Sequence, residues 1–343
     1  MRIIFVLSCG LLISVAYSAF TVDSSALNAF SSFPWLCILA LVGMVFLPWL
    51  VDTLRVQIWL RFLNKRERFS DVFRMTLATE MASALSPAAI GGSGAKLGWM
   101  ISRGMAPGVA SSIMAINALE DIIFFMLALP LALLLSSDVV NGVALEKILC
   151  LIREQNLTGS RNLSFILIGL LGIFLAARLA WKLVPASWRE RMRGWKKEAR
   201  HQLVVAKQTL RLMLAQGRWR FVATVLLSGL HWGCRFSMLT VLLAGLHYAV
   251  DPFNFFASQW LVFMLMKIVP SPGGTGGAES AFLLFYRSML PENLLGLLVG
   301  AWRVLTFTLP VGLATLLFLC LIRWQSGQDW SFLGLKKTAP TAP

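Results

Sequence analysis

Six apolar stretches, at about 2–20, 34–51, 107–135, 163–181, 221–246 and 294–322, are each long enough to cross the roughly 30 Å hydrocarbon core of a bilayer. With 57% hydrophobic and 14% charged residues over 343 positions, the chain falls outside the ordinary cytosolic enzymes and nucleic-acid binders. The expected fold is an all-α integral membrane protein, a polytopic helix bundle. The first stretch follows Met1-Arg2 and also fits a secretory signal with Ala16-x-Ser18 as its cleavage site. An uncleaved first helix is the preferred reading, because the run is long enough to span and further spans follow.

Two more apolar segments, 75–104 and 256–290, are interrupted by Pro and Gly clusters, so neither is one continuous helix. Side by side, the interruptions read Ser86-Pro87-Ala88-Ala89-Ile90-Gly91-Gly92-Ser93-Gly94 and Ser271-Pro272-Gly273-Gly274-Thr275-Gly276-Gly277. A charge and a proline follow each at matching distances inside an apolar helix: Glu120 and Pro130 after the first, Arg303 and Pro310 after the second. The chain thus reads as a duplicated unit. Residues 1–160 form a first membrane repeat of two spans, a re-entrant hairpin at 75–104 and a third span. Residues 161–330 form a second, with a basic amphipathic segment at 182–220 and a re-entrant hairpin at 256–290; 331–343 is a flexible tail.

Positive charge fixes the expected orientation. Residues 55–74 carry six basic residues, Arg55, Arg61, Lys65, Arg66, Arg68 and Arg74, against Glu67 and Asp71, and 182–220 carries eleven against Glu190 and Glu198. These segments face the cytoplasm, the poorly charged 21–33, 247–254 and balanced 136–162 face outward, and both termini fall inside. The two hairpins then enter from opposite faces, which makes the repeats inverted, a plan transporters use. Segment 182–220 mixes Trp188, Trp195, Leu203, Leu210 and Leu214 with its basic residues, as a surface-lying amphipathic helix or a solvated linker would.

The breaks and the buried charges carry the candidate chemistry. Pro87 and Pro272 release backbone carbonyls, and Gly91, Gly92, Gly94, Gly273, Gly274 and Gly276 permit positive φ and close backbone approach. Irregular backbone at membrane depth is tolerated inside protein or along a wet cavity, and a half-helix beginning there offers its positive end to an anionic group. The plainer alternative is close helix packing through small residues. Glu80, Lys96, Glu120, Asp121, Arg235, Lys267, Glu279 and Arg303 fall at membrane depth, where an unpaired charge is costly. They read as a polar pathway in which Lys96, Arg235 and Arg303 meet an anionic headgroup, or as structural ion pairs such as Glu120 or Asp121 with Arg303 or Lys96.

Other chemistries find little support. Five scattered cysteines and three distant histidines offer neither a disulfide framework nor ligand spacing for a metal. There is no P-loop and no Gly-x-Ser-x-Gly elbow; adjacent Glu120 and Asp121 could in principle bind a metal or act as acid and base in an intramembrane enzyme, with nothing further in support.

Glu80, Ser86-Pro87-x-x-x-Gly91-Gly92, Arg103-Gly104, Glu120-Asp121, Pro270-Ser271-Pro272-Gly273-Gly274-x-Gly276-x-x-Glu279 and Arg303 together resemble the lysylphosphatidylglycerol synthase transmembrane-region family, whose members are flippase-like. The resemblance covers nearly the whole chain and departs from the family pattern at Ala278, where many members carry a basic residue. It implies a stand-alone flippase moving a polar or anionic phospho- or glycolipid across the cytoplasmic membrane, with membrane lipids as partners and no cofactor or nucleic acid. No aminoacyl transferase segment is seen, so lipid synthesis does not carry over. A homodimer or lipid-synthesis enzymes are candidate protein partners. The alternatives are an accessory subunit of a lipid or envelope-glycan synthesis complex and an intramembrane lipid-modifying enzyme.

Overall fold

A computed structural model of the chain describes residues 33–86, 90–135, 186–248, 250–266, 274, 276–287 and 289–324. All regular structure among them is helical: α1 (Trp35–Phe62), α2 (Phe69–Leu85), α3 (Ile90–Ser102), α4 (Pro107–Leu135), α5 (Ala186–Gln216), α6 (Arg218–Gly245), α7 (Pro252–Met266), α8 (Gly277–Tyr286), α9 (Glu292–Arg303) and α10 (Leu309–Trp324). A π-helical turn, Val304–Thr308, joins α9 to α10 without a break. Four helical stretches are long and apolar enough to cross a membrane: α1, α4, α6 and Leu294–Ile322. This is a polytopic helical membrane protein. The spans expected at 2–20 and 163–181, the tail, Pro87, Lys267, Pro272 and Gly273 lie outside the described residues.

The spans retain prolines that would break a soluble helix. Pro48 lies within α1 and Pro130 within α4, as membrane-spanning helices tolerate. Pro310 instead follows the π turn, a local widening common where a helix is strained or functional.

α1 and α6 run antiparallel side by side. Phe33 lies against Gly245, Pro48 against His231, and Trp59 against Gly217. α4 runs parallel to α6, with Asp121 meeting Ser228 and Phe125 meeting Trp232. α2 and α3 form an antiparallel hairpin whose open end, where Arg103 pairs with Glu67 and Asp71, sits where α1 finishes and α4 starts. α7 and α8 form the second hairpin, with Phe255 stacked on Tyr286. Its open end lies where α6 finishes and α9 starts. The two hairpins therefore open toward opposite ends of the bundle.

The basic segment 182–220 is helical through α5, and its C-terminal half is docked. The Gly108 N–H donates to Gln202 Oε1 at 2.9 Å, Ser112 Oγ donates to the Ala206 carbonyl at 2.9 Å, and Met213 is buried. α5 thus lies at the same end as the first hairpin's opening, so both basic segments share one end of the bundle.

Glycines act differently in the two breaks. Gly91 and Gly92 are helical, inside the first turn of α3, and serve close approach to α2. A Cβ on Gly91 would stand 2.5 Å from the Ala82 carbonyl oxygen, and one on Gly92 would stand 2.9 Å from that of Thr79. α3 begins at Ile90, ahead of these glycines, and the Gly91 N–H is capped by Ser86 Oγ at 2.7 Å. In the second break Gly274 (φ +69°) and Gly276 (φ +84°) hold left-handed turns that other residues rarely adopt.

Gly91→Ala and Gly92→Ala will each lower thermal stability in detergent by about 1–3 kcal/mol, the usual cost of overpacking. Gly94→Ala, with open space around its Cβ, will leave the melting temperature unchanged or raise it.

Candidate functional site

The apolar core is two clusters with a polar layer between them. One packs Val56, Trp59, Leu60, Val72, Met75, Ala110, Ile113 and Ile116 at the basic end. The other packs Leu41, Val45, Trp49, Leu77 and Phe236 with the second hairpin and Trp302. Asp52, Thr53 and Arg55 of α1, Asn117, Glu120 and Asp121 of α4, and Thr224, Ser228 and His231 of α6 fall between these clusters. Asp52 stands about 15 Å inside the end of α1, taking a rise of about 1.5 Å per residue.

Arg55 anchors the layer. Its Nε and Nη2 donate to Glu120 Oε2 at 2.9 and 2.8 Å, and Nη2 also reaches Asp121 Oδ1 at 2.8 Å and the Asn117 carbonyl at 2.9 Å. Glu120 accepts in addition from Trp59 Nε1 at 2.6 Å and Asn117 Nδ2 at 3.1 Å. Arg55 is 2% and Glu120 0% exposed, so both charges are removed from solvent and lipid alike. Such a pair persists because the surrounding donors and acceptors replace water.

Beside this anchor is a partly accessible rim. Lys96 Nζ lies 3.6 Å from Asp52 Oδ2 and 3.3 Å from Asn117 Oδ1. Ser228 Oγ donates to Asp121 Oδ1 at 2.6 Å. Arg235 Nη2 pairs with Glu80 Oε1 at 2.9 Å, joining α6 to the first hairpin near its tip. Asp121 remains 29% and Asp52 21% exposed. His231, one turn before Arg235, places Nδ1 3.2 Å from the Pro48 carbonyl.

The second hairpin is tethered in a related way. Glu279 Oε2 accepts from the Gly276 N–H at 2.6 Å, while Oε1 meets Arg303 Nε at 3.1 Å. Arg303 also lies over the Phe307 ring at 4.5 Å, within the π turn. Each hairpin tip thus carries a glutamate held by an arginine of a long helix: Glu80 by Arg235, Glu279 by Arg303.

The structure brings Glu80 to Arg235, Glu279 to Arg303, and Lys96 toward Glu120 through Asn117. Arg303 does not meet Glu120 or Asp121. Arg55 takes both, because its planar fork projects from α1 between them, while Arg303 faces the second hairpin. Arg55, which counts with the basic loop in sequence, lies inside α1. Lys96, Arg235 and Arg303 each already face a carboxylate. Gly94 lines open surface instead of a contact. Asp52, Arg55, Trp59, Asn117, Ser228 and His231 were missed. Their signal was a polar trio, Asp52, Arg55 and Gln57, inside an otherwise apolar helix.

Arg55→Met, which strands the Glu120 charge, will cost about 3–5 kcal/mol, read as loss of folded protein on heating in detergent. Arg55→Met combined with Glu120→Met will recover part of that loss, because the fully buried carboxylate goes with its partner and only the partly exposed Asp121 is left without the guanidinium.

The family profile described as lysylphosphatidylglycerol synthase TM region matches residues 7–314. A UPF0104 membrane protein of Archaeoglobus fulgidus is 24% identical over 318 residues, covering 87% of this chain and 92% of that protein. The match to 7–314 takes in both hairpins, the polar layer, three of the described spans and most of the fourth, and the chain belongs to the lysylphosphatidylglycerol synthase TM region family.

Proposed function

We propose that this protein moves a polar-headed or anionic phospho- or glycolipid across the cytoplasmic membrane, the headgroup passing along the rim formed by Asp52, Glu80, Lys96, Asp121 and Arg235. One observation carries the reading: a layer of mutually paired, partly accessible charges lies at membrane depth between two hairpins that open to opposite ends of the bundle. Intramembrane charges that are costly to bury and yet partly open mark substrate paths. Rigid structural pairs would be sealed, as Arg55 and Glu120 are.

The chemistry of the rim suits a headgroup with a phosphate and hydrogen-bonding groups. A phosphate can replace Glu80 on Arg235 or Asp52 on Lys96, and the displaced carboxylates accept from hydroxyl or amino groups. The bundle's element order, a long helix, a broken hairpin and a long helix, occurs twice, at 35–135 and 218–324. Opposed hairpins support the inverted-repeat reading, with alternating access by rocking of one half on the other. The shared basic end would face the cytoplasm by the positive-inside rule, and both termini with it. Transport, without covalent change to the lipid, is the activity proposed.

The test is headgroup accessibility to an impermeant quencher in liposomes holding the purified protein and labelled zwitterionic, anionic, aminoacylated or glycosylated lipids. One lipid class should cross faster than in protein-free liposomes, and Arg235→Gln should slow it about tenfold, equivalent to about 1.4 kcal/mol of barrier. No crossing of any class under any ion gradient contradicts the reading.

A further inference from the structure

The polar layer contains an imidazole, the side chain whose ordinary pKa lies closest to neutrality. His231 sits on α6 between Ser228 and Arg235, its ring against Trp232 and its Nδ1 3.2 Å from the Pro48 carbonyl. A carbonyl only accepts, so Nδ1 carries the hydrogen and Nε2 is the nitrogen left to take a proton. Pro48 and Asp52 are one turn apart on the same face of α1, so the ring lies beside the carboxylate that holds Lys96.

The charged groups acting on the ring come from three packed helices: Asp52 and Arg55 of α1, Asp121 of α4, and Arg235 of α6 itself. Behind them stand Glu120 on Arg55, Glu80 of α2 on Arg235, and Lys96 of α3 on Asp52. α7, packed on α6, carries no charged residue, and Arg303 of α9 is engaged by Glu279. Among these groups, histidine alone ordinarily titrates between pH 5 and 8.

We infer that His231 is a proton-carrying switch that couples lipid movement to pH, its protonated ring competing with Lys96 for Asp52 and so loosening the first hairpin from α1. A proton from the aqueous phase binds Nε2, the imidazolium then draws the Asp52 carboxylate, and the Lys96 contact, already 3.6 Å, opens. α3, which bears Lys96, is thereby released from α1 while Arg55 and Glu120 hold α1 to α4. Loss of the proton to the opposite side restores the original pairing. The protein would thus run on a proton gradient with no nucleotide site. This inference rests on the lipid-translocation reading above.

Two measurements on the full chain test it. Lipid crossing in the quencher assay should be about tenfold faster at pH 5.5 than at pH 8 in the wild type, and His231→Gln should hold the slow rate at both. Histidine ring NMR in nanodiscs should show one of only three histidines, identified by its absence in His231→Gln, titrating between pH 5 and 8. Should His231→Gln fail to fold, isotope-labelled wild type with His201→Gln and His247→Gln isolates the His231 signal. A wild-type lipid rate that is flat with pH, or a His231 ring fixed in one ionisation state, overturns the switch and leaves lipid movement standing. A lipid that crosses at no pH sinks both readings, even where the ring titrates.

Discussion

Arg55 holds two carboxylates of α4 from a position on α1 where neither water nor lipid can reach it, and the arrangement of the other helices follows from that. A guanidinium at this depth is tolerable only when carboxylates and acceptors surround it, and Glu120, Asp121 and the Asn117 carbonyl converge on its Nε and Nη2. That convergence fixes the height of α4 against α1. α6, pinned to α1 at Pro48 and to α4 through Ser228 and Asp121, fills the remaining side. The accessible charges of the rim are then held at one level, between two apolar clusters that give the layer its walls.

Within this frame the two hairpins are tied differently from the Arg55 anchor. Each is built of helices shorter than a span and carries a glutamate–arginine pair near its tip, Glu80 with Arg235 and Glu279 with Arg303, and the first is held further by Lys96 at Asp52 and Asn117. Single pairs with partial exposure are weaker ties than the multiply bonded Arg55 anchor. The π turn directly after Arg303 adds a second soft point in the longest helix, next to the tether of the second hairpin. A multiply bonded seam beside two hairpins suits the alternating exposure proposed for the central site.

The spans at 107–135 and 221–246 were legible almost to the residue, because a membrane helix is recorded in hydropathy alone and needs no knowledge of its neighbours. The breaks were legible from Pro and Gly, although the same Gly-Gly pattern performs close packing at Gly91 and Gly92 and left-handed turns at Gly274 and Gly276. Pairings were not legible. Arg55 and Glu120 are 65 residues apart and Glu80 and Arg235 are 155 apart, and nothing local encodes which charge meets which. Arg55 was obscured for a further reason: counting basic residues near a helix end treats each as a topology signal, whereas this one lies two turns inside α1, ahead of the true loop at Lys65, Arg66 and Arg68.

On the proposed reading the rim is a wet path reachable from both sides, lying between hairpins that enter from opposite faces. Single cysteines at positions 80, 103 and 287 in an otherwise cysteine-free chain, treated with an impermeant thiol reagent from one face of oriented vesicles at a time, test it most directly. Position 103 should react from one face only, position 287 from the other face only, and position 80 from both. Labelling of 103 and 287 from the same face, or complete protection of position 80 from either side, would contradict the account.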